Sequence, residues 1–133
     1  MKTIVVITGL LLSTMTFAND LAKMSPTERC ELWSTNAMHG AKQALRGAPR
    51  QIQYIPRAIL IEMVEHFGAV GIDKIYILED PDYTDEEREF LEKSTLFGYD
   101  AMSKWKAHYK DDMPRQGEWM DRFMTQCSRD QRV

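Results

Sequence analysis

Cys30 and Cys127 are the only two cysteines of this 133-residue chain, and their chemistry is oxidation to a single bridge. They form no C-x-x-C pair, and each falls on an apolar helical stripe, so a structural disulfide is expected rather than a reactive thiol pair. A bridge between them closes about three quarters of the chain into one loop, worth about 4–5 kcal/mol in the chain-entropy view. A second candidate for chemistry is Glu62-Met63-Val64-Glu65-His66, where two carboxylates and an imidazole share one helical segment. A glutamate buried there would serve as the general acid of a small hydrolase acting on envelope polymers. Two exposed glutamates on an amphipathic helix are the simpler expectation, and no catalytic residue is assigned.

The remaining polar residues give weaker patterns. His39, His66 and His108 fall on three different predicted helices without an H-E-x-x-H arrangement, so surface or hydrogen-bonded histidines are expected and no metal site is assigned. The acidic run from Glu79 to Glu92 fails as a calcium loop, because Asp85 stands where glycine is required and Leu91 where the bidentate glutamate belongs. No G-x-S-x-G and no phosphate-binding glycine loop occurs, and no cofactor is expected. Lys42, Arg46, Arg50 and Arg57 lie within Leu32 to Ile61, a stretch with no acid. They are a candidate patch for an anion or an acidic partner. The alternative is that they face the acidic 79–92 segment of the same fold, or solvent.

The elements that carry these residues read as helices. Ser25-Pro26-Thr27-Glu28 is a capping box with proline at the first helical position. Cys30, Trp33, Ala37, Ala41, Ala44 and Leu45 then keep helical spacing, and three alanines allow a neighbouring helix to come close. Gly47 and Pro49 end this first helix near Arg46. Ala48 to Ile55 is expected as a connector. Pro56 opens a second helix with Ile59, Leu60, Met63, Val64 and Phe67 inward and Gly68 as its end. Ala69 to Leu78 suits a helix or a strand, and helix is favoured because no strand partner is legible. Thr84 and Glu87 form another capping box, starting a helix that runs to about Tyr109 with Phe90, Phe97, Ala101, Met102 and Trp105 inward. Gly98 within it marks a close helix contact or a kink. After Asp111 to Pro114, a last helix carries Met120, Phe123, Met124 and Cys127 inward.

The N-terminus has the features of a secretory leader: Lys2, an apolar run from Ile4 to Leu12, and Thr16-Phe17-Ala18 before Asn19. Residues 1–18 are therefore expected as a signal peptide, and 19–133 as one helical domain with no further membrane span. The net charge of −3 argues against a nucleic-acid binder. Nine methionines fit a helical core as gap fillers. The predicted fold is all-α, a small bundle of four to five helices whose first and last members are joined by Cys30–Cys127.

Cys30, Ala37, Ala41, Ile75-Tyr76, Asp80-Pro81-Asp82 and Cys127, with the leader, resemble the small exported helical proteins of Gram-negative bacteria. The resemblance covers most of the mature chain and implies an exported, helical, disulfide-bracketed protein without supplying a catalytic residue. The expected function is non-enzymatic binding in the periplasm or outside the cell, with an envelope or secreted protein as partner. The oligomeric state is not legible.

Overall fold

Helix α1 (Pro26–Leu45) begins where its capping box places it. The Glu28 N–H donates to Ser25 Oγ at 3.1 Å, and the Ser25 N–H donates to Glu28 Oε1 at 3.0 Å. Its end is a Schellman motif: Ala48 N–H reaches the Gln43 carbonyl and Gly47 N–H the Ala44 carbonyl, both at 3.0 Å. Gly47 makes this turn at φ +85°, a conformation that side-chain-bearing residues adopt at a cost. The computed structural model describes residues 21–67, 74–108 and 114–131, with a short 3₁₀ turn at Leu21–Lys23 ahead of α1. The expected leader, Gly68, the stretch 69–73 and the break at 111–113 lie outside the described residues.

Four helices dominate the described residues, as the sequence predicts: α1, α2 (Arg57–Phe67), α3 (Asp85–His108) and α4 (Gln116–Gln131). One expectation is corrected. Ile52–Ile55 is a strand, β1, and Ile75–Leu78 is its parallel partner, β2, with Ile52 opposite Ile75 and Ile55 opposite Leu78. The connector thus contains a strand, and the C-terminal part of the favoured Ala69–Leu78 helix is one too. Parallel strands need a crossover, and α2 supplies it. The run Ile75-Tyr76-Ile77-Leu78 is buried at all four positions, which a strand covered on both faces permits.

Pairing with β1 uses the backbone of alternate β2 residues: Ile75 N–H donates to Gln51 O at 2.8 Å and Glu79 N–H to Ile55 O at 2.9 Å. The carbonyl of Tyr76 therefore points away from β1. There it accepts a hydrogen bond from His39 Nε2 of α1 at 3.0 Å. A helix side chain thus pairs a buried carbonyl on the side of β2 that faces away from β1.

Helices α1 and α3 touch backbone to backbone. A β-carbon on Gly98 would collide with the Ala37 carbonyl, and one on Gly40 with the Thr95 carbonyl. Ala37 and Ala41, both fully buried, line the same seam. This is the close contact that the three alanines and Gly98 predict; the sequence did not single out Gly40. The buried residues of α3 are Glu87, Leu91, Ser94, Thr95, Gly98 and Met102. Phe90, Phe97, Ala101 and Trp105, expected inward, lie half-buried one step around the helix. Two other expected core residues are exposed, Leu45 at 48% and Ile59 at 47%.

Helix α4 lies antiparallel to α3, since Trp105 meets Trp119 and Phe97 meets Phe123, at centroid distances of 5.5 and 5.6 Å. At its far end Cys127 bonds Cys30, with 5.4 Å between the α-carbons. The first and last helices are thereby joined as predicted. Among the described residues no helix is long and apolar enough to cross a membrane.

Candidate functional site

The four expected cations differ in their surroundings. Arg50 reaches α3, where Nε and Nη2 grip both carboxylate oxygens of Asp100 at 2.8 and 2.9 Å. That forked hydrogen bond raises the Arg50 pKa further, chiefly through the bond itself and then through the Asp100 charge. The acid that answers Arg50 is therefore outside the 79–92 run. Arg57 opens α2, beyond the strand that separates it from α1.

Lys42 and Arg46 stay together, one helical turn apart at the C-terminal end of α1. Neither has an ion pair among the described residues. Partial burial, and then the neighbouring Arg46 charge, lower the Lys42 pKa. Like charges at this spacing repel, although the negative end of the helix dipole favours cations there.

Beneath them is His39, fully enclosed between α1 and β2. Burial lowers its pKa most; the hydrogen bond to the Tyr76 carbonyl works against this, and the charges of Arg46 and Lys42 add to the lowering. The imidazole is thus neutral, with its proton on Nε2, because a carbonyl can only accept. Among the described residues its Nδ1 has no hydrogen-bond partner, and neither do the Asn36 side-chain amide, Gln43 Oε1 or Thr95 Oγ1. A general base must reach the proton it abstracts, and Nδ1 reaches no hydroxyl among the described residues. The sequence expectation of a hydrogen-bonded histidine holds for one nitrogen, and the burial was not legible.

Glu62 and Glu65 are exposed on α2, so neither sits in the enclosed surroundings that a buried acid would need. The side chain of His66 lies outside the described residues. The acidic run is engaged locally: Glu87 Oε1 accepts the Thr84 N–H at 2.8 Å, and Asp80 Oδ1 accepts the Asp82 N–H at 2.9 Å. Glu92 Oε2 takes the Tyr54 hydroxyl at 2.7 Å, while Arg88 lies 4.8 Å from the Tyr54 ring centroid. No group of three or more potential metal ligands occurs among the described residues.

Sequence reasoning missed a second cationic surface. In the groove between α3 and α4, the Arg122 guanidinium lies over Trp105 at 4.9 Å and over Trp119 at 5.5 Å. Lys104 and His108 of α3 line the same groove. An adjoining hollow shares Ala101 and Arg122 and extends past Phe97 and Phe123 to Arg129. The two hollows hold about 330 and 400 Å³. The spacing of Trp119, Arg122, Gln126 and Arg129 at three, four and three residues was a readable signal that they share one side of a helix. Their meeting with Lys104 and Trp105 depends on how α3 and α4 pack.

The chain matches no protein-family model, no curated protein and no solved structure.

Proposed function

We propose that this is an exported, non-enzymatic binding module that meets an envelope or secreted protein partner through cations on its surface. The leader pattern supports a periplasmic or extracellular location. The Cys30–Cys127 bond is compatible with an oxidising compartment. The observation that carries the binding reading is the Lys42–Arg46 pair. Two cations are held one turn apart, one of them partly buried, with no carboxylate to answer them among the described residues. An acidic partner would relieve their repulsion and supply the missing counter-charge.

The mature chain, immobilised with its disulfide intact, is expected to capture a specific protein from envelope extracts. The double substitution Lys42→Glu, Arg46→Glu should lose that capture while melting at nearly the wild-type temperature. Unchanged capture together with a large loss of thermal stability would show that the pair is internal structure. Location is tested separately. Protein expressed with its leader in a Gram-negative host should appear in the periplasm beginning at Asn19, and an intact cytosolic mass retaining Met1 would overturn that part.

A further inference from the structure

The groove between α3 and α4 uses neither residue of the α1 pair, and its chemistry is more specific. Its floor is apolar: Phe97, Ala101 and Trp105 of α3 are half-buried, and Phe123 of α4 is fully buried. Its rim is cationic, with Lys104, Arg122 and Arg129 exposed and none of them in an ion pair among the described residues. Glu118, one turn before Arg122 on α4, is not paired with it. Trp119 is only 2% exposed, and its indole N–H, which usually finds an acceptor when buried, has none among the described residues.

We propose that this groove binds an acidic, amphipathic helical segment of a partner protein, with carboxylates on Arg122 and the flanking cations and apolar side chains on the aromatic floor. Three observations select this occupant. The Arg122 guanidinium sits in the corner of two indoles set 74° apart, 4.9 Å from the Trp105 centroid and 5.5 Å from that of Trp119, and being exposed and without an ion pair among the described residues it keeps N–H groups for a forked carboxylate contact. Stacking of a sugar is disfavoured, because the Trp105 face carries Arg122 and Trp119 is buried. A uniformly hydrated polyanion would lose water against the half-buried Phe97 and Ala101, whereas a helix with one apolar face gains there. The dimensions agree: Arg122 and Arg129 are two turns apart, about 10 Å along α4, which matches acids at i and i+7 of a docked helix.

The test uses the full mature chain with its disulfide intact. The probes are a synthetic helical peptide with glutamates at i, i+4 and i+7 beside leucines, its glutamine counterpart, a short polyphosphate, and a uronic-acid oligosaccharide. Calorimetry and tryptophan fluorescence read the binding. The glutamate peptide should bind at least tenfold more tightly than the glutamine peptide at low salt, and more weakly as salt rises. Arg122→Gln should weaken it at least tenfold, Lys104→Glu should also weaken it, and Arg122→Lys should recover only part of the affinity because an ammonium lacks the planar fork. Lys104→Glu keeps the test decisive should an Arg122 variant fold poorly. Equal affinity for the two peptides, no binding at low salt, or tighter binding of the polyphosphate or the oligosaccharide would each overturn the proposal. Lys42→Glu with Arg46→Glu should leave glutamate-peptide affinity unchanged, and a loss there would place the peptide on α1 instead and overturn it as well.

Discussion

The carbonyl of Ala37 occupies the space where Gly98 would otherwise carry a β-carbon. This contact sets how closely α1 and α3 approach, and Gly40 against the Thr95 carbonyl repeats it from the other helix. Because the obstacle in both cases is backbone, neither helix can yield by turning a side chain. Gly98→Ala and Gly40→Ala are each expected to cost about 3 kcal/mol, the upper end for overpacking. Gly117 is the control: it lies in α4 with open space around it, so Gly117→Ala should be neutral or stabilising by up to about 1 kcal/mol. Urea denaturation of the three variants checks the contrast, and similar midpoints for all three would refute it.

The disulfide spans 97 positions and joins α1 to α4. Cys30→Ser should remove on the order of 3–5 kcal/mol, from the lost loop constraint and from a hydroxyl placed where burial is nearly complete. Cys127→Ser should cost about the same and the double substitution little more, since one bond is lost in every case. Thiol titration of the denatured, unreduced protein should find no free thiol. Two reactive thiols would remove the bond from the account.

His39 makes stability depend on pH in a defined direction. Its pKa in the folded protein is below the ordinary 6.5 because burial disfavours the imidazolium. Above that value both folded and unfolded chains carry a neutral imidazole, and the residue contributes no slope. As pH falls below 6.5 the unfolded chain takes up a proton that the folded chain refuses, so stability declines until the folded pKa is passed. The charges of Arg46 and Lys42 add to the lowering. Urea midpoints measured from pH 7.5 down to 5 should fall for the wild type and fall less for His39→Gln. Parallel curves for the two proteins would show that His39 is not the titrating group.

Ile77 and Ile59 separate the observed packing from a simple helical pattern. Ile77 of β2 is fully buried, whereas Ile59 of α2 is nearly half exposed. Ile77→Ala should cost about 2–5 kcal/mol through the cavity it leaves, and Ile59→Ala within about 0.5 kcal/mol of nothing. Comparable losses at the two sites, measured by thermal unfolding, would contradict this arrangement.

Much of the helical framework was legible in the sequence because its signals act within a turn or two. Ser25 with Glu28, Thr84 with Glu87, and Gly47 followed by Pro49 each satisfy or release backbone groups of their own helix, so residue type and spacing suffice. The Cys30–Cys127 pairing was legible for another reason: with two cysteines only one intrachain bond exists. The strands were not legible, because four residues of β1 are stable only against four residues of β2 beyond a helix, and Pro49 and Pro56 made the first strand read as a connector. The buried place of His39 follows from the same non-local fact, since the Tyr76 carbonyl needs a donor only once β2 pairs with β1 on its other side. The alanines and Gly98 announced a close approach, but which side of α3 turns inward was decided by backbone contact with α1, leaving Phe97 and Trp105 half-buried beside α4. Arg122 illustrates the limit most clearly. Its charge and helical spacing are in the sequence, while the two tryptophans beneath it come from α3 and α4 and meet only when those helices pack antiparallel.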